Sequence, residues 1–131
     1  MEAYYSVAIV TLLSGLLCFA MALACARAHV KTGIYAPKMS GHPLLDRTVR
    51  AHLNTLEWMP IFLPAMWLFA IYWSPSWAAI LGGLWIAGRI VYFIGYVAAT
   101  DKRRPGFAIQ ALAAIILVLG ALGRIIYLML A

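Results

Sequence analysis

The sequence predicts an all-α integral membrane protein in which residues 1–131 form one domain, folded as a four-helix bundle. Hydrophobic residues make up 66% of the chain and charged residues only 11%, whereas about 25% of an average soluble domain is charged. Four apolar stretches are each long enough to cross a hydrocarbon core of ~30 Å, which takes about 20 helical residues. Polar segments containing proline or glycine separate these stretches, so each one is expected to be a helix.

The helices are predicted in order at about residues 4–26, 48–73, 77–99 and 106–131. The first is uncharged, the second is polar in its first third, and the third and fourth carry one arginine each, Arg89 and Arg124. The small residues "ALACA" at 22–26 resemble a signal-peptide cleavage site. A signal peptide begins with a basic segment, however, and the only charged residue before this apolar run is Glu2. We therefore expect the first helix to be retained.

The placement of charge predicts the topology. Eight of the ten lysines and arginines lie in or beside the first and third connections, which share one side of the membrane when there are four spans. The positive-inside rule makes that side cytoplasmic, in an inner membrane if the source is bacterial or in the endoplasmic reticulum if it is eukaryotic. The other side holds both termini and the "SPS" turn, flanked by an aromatic belt of Tyr72, Trp73 and Trp77. The eight cations are Arg27, Lys31, Lys38, Arg47, Arg50, Lys102, Arg103 and Arg104.

The two cysteines, Cys18 and Cys25, lie seven residues apart on the first helix. Two helical turns hold their Cα atoms farther apart than a disulfide reaches. We expect both to be free and to pack at a helix contact. No cysteine or histidine spacing suited to a metal occurs, so neither a metal site nor a nucleic-acid partner is expected.

Polar residues inside the membrane segments form two stripes, each with a spacing of three and four that keeps its members on one helix face. They are Arg47, Arg50, Asn54 and Glu57 on the second helix, and Arg89, Tyr92 and Tyr96 on the third. Ionisable groups inside a membrane are costly, and they usually face the bundle interior, where they pair or serve a function. We therefore expect the two stripes to meet something other than lipid.

Glu57 and Arg89 are predicted to lie at matching depth, each about 15 Å from the cytoplasmic end of its helix. We expect an Arg89–Glu57 ion pair, or both groups facing one shared cavity. The alternative is a purely structural lock between helices, which the further polar residues of the stripes disfavour. Arg124 falls at the far interface, where it can snorkel, and is assigned no function. Pro60 and Pro64 either open a space beside the stripe or make an ordinary kink.

The stripes predict a binding site for a small zwitterion with more than one carboxylate, reached from the cytoplasm and open laterally to lipid. Arginine pairs bidentately with carboxylate, and an arginine beside a bound thiol would lower the pKa of that thiol. The residues for these contacts are Arg50, Arg89 and Arg103 or Arg104 for carboxylates, Glu57 for an ammonium group, and Asn54, Tyr92 and Tyr96 for a peptide-like backbone.

Two segments, "RTVRAHLNTLEWMPIFLP" at 47–64 and "GRIVYFIGY" at 88–96, resemble the MAPEG family, the membrane-associated proteins in eicosanoid and glutathione metabolism. The combination of R-x-x-x-N-x-x-E-x-x-P with R-x-x-Y-x-x-x-Y is more specific than either half. The likeness covers about residues 47–130. It implies a four-helix membrane bundle, assembled as a homotrimer, that binds glutathione between neighbouring subunits.

The resemblance also implies roles for individual residues. Arg103 would stabilise the glutathione thiolate as the catalytic residue, with Lys102 and Arg104 as alternatives one position away. Trp58 stands where conjugating relatives often have tyrosine. The glutathione-binding residues that the resemblance implies are Arg50, Asn54, Glu57, Tyr92 and Tyr96, together with Arg27 and His52 reaching the site of a neighbouring subunit.

Stripes of small residues fit an oligomer, because they let helices approach closely in lipid. They are equally compatible with packing inside one subunit. The stripes are Ser14, Cys18, Ala22 and Ala26 on the first helix, and Ala79, Gly83 and Ala87 on the third.

The leading functional hypothesis is a membrane glutathione transferase that joins the glutathione thiolate to lipophilic electrophiles, with glutathione peroxidase activity toward lipid hydroperoxides as a further reaction. One alternative is a non-enzymatic lipid-binding accessory member of the same family. The other is a small four-helix multidrug transporter. Such transporters carry a glutamate in the first helix, which is uncharged here.

Overall fold

The computed structural model describes all of residues 1–131 as four long helices with short 3₁₀ turns at Glu2–Tyr4 and Thr100–Arg103. All four helices are long and apolar enough to cross a membrane. The chain is thus an integral membrane protein, and the prediction of an all-α four-helix bundle is confirmed. The helices are α1 (Tyr5–Thr32), α2 (Pro43–Tyr72), α3 (Pro75–Ala98) and α4 (Arg104–Leu130).

The first connection is shorter than the apolar stretches predicted. The helix α1 continues past Ala26 to Thr32, where Gly33 ends it in the left-handed conformation (φ 71°) that glycine adopts without strain. The cations Arg27 and Lys31 therefore stand on α1 itself and not in a loop. The length of an apolar stretch indicates only the part of a helix that lies in the hydrocarbon core. The end of the helix is set by its capping residues.

The start of α2 is set by a cap in the same way. The side chain of His42 accepts a hydrogen bond from the backbone N–H of Leu44 (3.1 Å), and Pro43 occupies the first helical position. The helix therefore begins five residues before Thr48 and runs unbroken through Pro60 and Pro64. At the "SPS" turn, Ser74 caps α3 by accepting from the N–H of Trp77 (3.3 Å).

The core lies between α2, α3 and α4, with α1 packed against its side. At its centre the rings of Phe62 and Trp85 stack at 3.9 Å with only 2° between their planes. At one end of the bundle α3 and α4 approach backbone to backbone. A Cβ at Gly88 would lie 2.7 Å from the backbone nitrogen of Gln110, and one at Gly106 would overlap the backbone of Tyr92.

This end is called the basic end here, because it holds the connection 33–42 and the turn Thr100–Arg103 with their cations. The close α3–α4 contact brings the start of α4 directly against the second half of α3. The residues of the candidate site lie at this contact.

The small-residue stripes serve packing within the chain only in part. Ser14 is buried, but Ala22, Ala26, Gly83 and Ala87 are exposed. A Cβ added at Gly83 would meet no atom within 4 Å. Intrasubunit packing therefore does not account for these four positions.

Candidate functional site

Two residues of the α2 polar stripe form an ion pair with each other along their own helix. Arg50 donates from Nη1 to Oε1 of Glu57 at 3.1 Å, and both side chains are more than half exposed (53% and 54%). A further stripe residue, Arg47, donates from Nε to the backbone oxygen of Val97 (3.1 Å), one of the last carbonyls of α3. This bond ties the start of α2 to the end of α3.

Arg89 is fully buried and contacts no carboxylate. Its Nη2 donates to Oδ1 of Asn54 (2.9 Å), and both Nε (3.2 Å) and Nη2 (2.7 Å) donate to the hydroxyl of Thr55. The predicted Arg89–Glu57 ion pair is therefore wrong. The prediction assumed that α2 starts near Arg47, but the helix starts at Pro43, and Arg89 contacts it at Asn54 and Thr55. Glu57 is also rotated by about 200° around α2 from Thr55, which faces Arg89.

A cavity of about 260 Å³ opens at the basic end where α2, α3 and α4 meet. Five of its lining residues were predicted site residues, and they come from α2, from α3 and from the turn before α4. The lining residues are Arg50, Asn54, Tyr92, Tyr96, Arg103 and Phe107. The predicted convergence of the two stripes thus occurs, since Arg50 and Asn54 of α2 and Tyr92 and Tyr96 of α3 line one cavity.

A second, outer cavity of about 380 Å³ adjoins the first and shares Arg50 and Tyr96 with it. It adds Pro43, Asp46, Arg47 and Thr100 from the ends of α2 and α3. Because they share two lining residues, the two cavities are together called the recess. Their volumes are in the range of small-molecule sites, about 300–1,000 Å³, when taken together.

Arg103 is held over the aromatic wall of the recess. Its guanidinium lies 5.3 Å from the centre of the Tyr96 ring, and Nη1 donates to the Tyr96 hydroxyl at 3.4 Å. The Tyr96 ring in turn meets the ring of Tyr92 edge-on at 5.6 Å. A cation and two tyrosines therefore line a single small cavity, an arrangement suited to an anionic group that also accepts hydrogen bonds.

Comparison with known proteins decides the family. A model of the MAPEG family matches residues 7–123. The chain belongs to the MAPEG family. It is 43% identical to an uncharacterized protein of Synechocystis sp., over 92% of this chain and 88% of that protein. It is 37% identical to microsomal glutathione S-transferase 2 of Homo sapiens, over 78% of this chain and 70% of that protein.

Leukotriene C4 synthase of Cavia porcellus is 32% identical over 88% of this MAPEG chain and 78% of its own length. The predicted family membership is thus confirmed, and the family is one of glutathione-related membrane enzymes.

The cations beside Arg103 in this MAPEG chain have different surroundings. Lys102 and Arg104 are exposed and line neither cavity of the recess. The contacts separate the three candidates that the sequence left open, because of the three only Arg103 contacts a tyrosine of the recess. Glu57 lines neither cavity and borders the recess only through its ion pair with Arg50. Arg89 is fully buried, so it has no exposed atoms with which to contact a ligand directly.

Two residues expected to serve a neighbouring subunit lie away from the recess of their own chain. Arg27 is exposed on α1, beside Leu23 and Lys31. His52 is half-buried, and its Nδ1 lies 3.7 Å from Sγ of Cys25 on α1. Both cysteines are free, as predicted.

Three residues near the site escaped sequence reasoning. Phe107 lines the recess and contacts Trp58 edge-on at 5.8 Å, but one aromatic in an apolar helix carries no signal. Thr55 anchors Arg89 but looked like an ordinary helix residue. Gln110 is fully buried with its amide unpaired, and it was detectable as the single amide within the apolar run of α4.

Proposed function

We propose that this MAPEG protein is a membrane glutathione transferase, and that the recess at the basic end binds glutathione. The observation that supports this most strongly is the placement of Arg103 with Tyr92 and Tyr96 on one wall, and of Arg50 and Asn54 on the other. Glutathione is a thiol peptide with two carboxylates and one ammonium group. The inner lining offers two guanidinium groups and no carboxylate, so it favours an anionic ligand.

The proposed chemistry is thiolate activation. A positive charge near the sulfur favours the thiolate over the thiol. Of the two cations that line the inner cavity, Arg103 is the one that contacts the Tyr96 hydroxyl. The thiol proton leaves to solvent through the outer cavity, and the thiolate then attacks an electrophilic carbon. The new C–S bond forms as the leaving group departs with its electron pair. Holding both reactants in the recess adds the effect of proximity.

The electrophile is proposed to be lipophilic and to arrive through the bilayer. The inner cavity is bounded by Phe107, which is itself 38% exposed on the outer face of α4. An apolar molecule dissolved in lipid can therefore approach the sulfur position from the membrane side, while glutathione enters from water. We propose that the water side is the cytoplasm, because the basic end carries the connection cations.

The site is proposed to be completed by assembly into a homotrimer. The exposed small residues of α1 and α3 allow close approach of a second copy. The exposed Arg27 would then supply a further cation to the neighbouring recess. His52 is proposed to lie near the same interface, next to α1.

The test is conjugation of glutathione to 1-chloro-2,4-dinitrobenzene by the protein purified in detergent. We expect enzyme-dependent product and, on mixing with glutathione alone, the ultraviolet absorbance of a bound thiolate. A lipid hydroperoxide in place of the aryl halide tests the peroxidase reaction. Tight binding of lipid with neither thiolate signal nor product would instead favour the accessory role. Proton-driven efflux from vesicles that needs Glu57 but not glutathione would favour a transporter.

A further inference from the structure

Arg89 carries a buried charge that no acid in the chain neutralises. Its side chain is 0% exposed, its hydrogen bonds go only to Asn54 and Thr55, and its Nη1 has no partner. The acid of the α2 stripe, Glu57, is paired with Arg50. Burying an ion without an ionic partner lowers the stability of the fold. A function for Arg89 would explain why this residue is nevertheless present.

The contact with Asn54 fixes which end of the amide enters the recess. A guanidinium group has only donors, so the Asn54 atom that faces it must be the acceptor Oδ1. The opposite placement would set the NH₂ group against Nη2, donor against donor. Asn54 lines the inner cavity, and its free Nδ2 is therefore the end available to a ligand there.

Two further contacts make this orientation rigid. Thr55 accepts from Nε and Nη2 of the same guanidinium, which keeps the Arg89 group from swinging away from Asn54. The guanidinium also lies 4.1 Å from the centre of the Tyr92 ring, within cation–π range. One buried residue thus contacts the cavity-lining side chains of both α2 and α3.

We propose that Arg89 is a positioning residue that turns the Asn54 amide so that it offers a hydrogen-bond donor to the recess, and that this donor selects a carbonyl or carboxylate oxygen of the bound thiol peptide. The proposal rests on the proposed function for the identity of the ligand, glutathione. It replaces the direct contact between Arg89 and ligand that the sequence predicted. A role in packing alone would make stability and glutathione affinity fall together.

The substitution Asn54→Asp separates these two roles. The aspartate has nearly the same shape, and its carboxylate would pair with Arg89, so the variant should unfold at the same or a higher temperature than the wild type. Its second oxygen would present an acceptor to the ligand oxygen where Nδ2 presented a donor. The dissociation constant for glutathione, measured by calorimetry in detergent, should rise about tenfold or more. Undiminished or tighter binding would overturn the proposal.

The substitution Arg89→Met tests the residue that does the positioning. Without the guanidinium the Asn54 amide is free to rotate, so the KM for glutathione should rise about tenfold while kcat, which depends on Arg103, changes little. Adding Asn54→Ala to Arg89→Met should raise KM little further, because the two residues act as one unit. Arg89→Lys keeps a donor and should restore part of the affinity.

Arg124→Met makes the same chemical change at the other end of the bundle, and it should leave the affinity for glutathione unchanged. If Arg89→Met does not fold, Arg89→Lys tests the positioning role in its place: its KM for glutathione should exceed that of the wild type, and an unchanged KM would overturn the role. A wild-type protein that binds no glutathione would overturn the proposed function and this proposal with it. A wild type that binds glutathione, with Asn54→Asp and Arg89→Met variants of equal affinity, would overturn only the positioning role.

Discussion

At the residue scale, Arg103 differs from Lys102 and Arg104 in what its side chain contacts. Three consecutive cations, Lys102 to Arg104, end the third connection, and charge alone cannot rank them. Arg103 lies over the Tyr96 ring and donates to its hydroxyl, whereas Lys102 and Arg104 line neither cavity of the recess. A thiolate bound beside the tyrosines would therefore contact this guanidinium.

Replacing Arg103 with alanine should lower kcat for conjugation by about 10²–10³, the loss typical when one donor to a developing or stabilised anion is removed. The thiolate absorbance of bound glutathione should fall in parallel. Lys102→Ala and Arg104→Ala are the matched controls and should stay within a few-fold of the wild type. Full activity in Arg103→Ala, with a loss in either control, would move the role to that neighbour.

The ion pair of Glu57 is exposed to solvent, which limits its contribution to the stability of the fold. Its pair with Arg50 is half exposed at both ends, and such pairs contribute only about 0–1 kcal/mol to stability. Its proposed role is to accept the ammonium group of glutathione beside Arg50, the residue through which it borders the recess.

Glu57→Gln should therefore leave the unfolding temperature nearly unchanged and raise the KM for glutathione about tenfold, because a charge-assisted hydrogen bond to the ammonium group is lost. Glu2→Gln, the same change on an exposed residue at the opposite end, is the control. A normal KM in Glu57→Gln would show that the ammonium group binds elsewhere.

At the scale of elements, the α3–α4 contact assembles the recess. Gly88 and Gly106 allow the two backbones to touch, and that contact sets Phe107 and Arg103 of the α4 end against Tyr92 and Tyr96 of α3. The polar stripes specify which faces meet. The glycines decide how closely the helices can come.

Gly106→Ala should therefore destabilise the protein by about 1–3 kcal/mol through overpacking against Tyr92, and it should raise the KM for glutathione by displacing Phe107. Gly123→Ala on the same helix meets open space and should be neutral or stabilising by up to about 1 kcal/mol. Thermal unfolding in detergent compares the two variants. Equal stability of both would show that α4 can shift without cost.

At the scale of the whole molecule, the exposed small residues mark a face that the single chain leaves uncovered. Gly83 and Ala87 on α3, and Ala22 and Ala26 on α1, pack against nothing within the chain that would require a small side chain. In lipid, where the hydrophobic effect does not drive helix association, such positions favour close packing of helices.

Gly83→Leu combined with Ala22→Leu should therefore convert the proposed trimer into monomers, as measured by native mass spectrometry in detergent. The fold of each chain should survive, because both side chains would point away from the core. Leu119→Trp enlarges an exposed residue of α4 and should leave the assembly intact. A trimer that persists in the double variant would place the interface on another face.

The sequence by itself determined the four spans, the basic end, the family and the residues of the two stripes. The spans, the basic end and the stripes follow from local properties: apolar length, charge position and spacing along one helix. The family follows from the resemblance of residues 47–64 and 88–96 to its motifs. Tertiary structure alone decided that Glu57 pairs with Arg50, that Arg89 is buried against Asn54 and Thr55, and that Arg103 lies over Tyr96. Those contacts depend on how each helix is rotated about its axis and on the glycine-mediated approach of α3 to α4, which depth and periodicity do not specify.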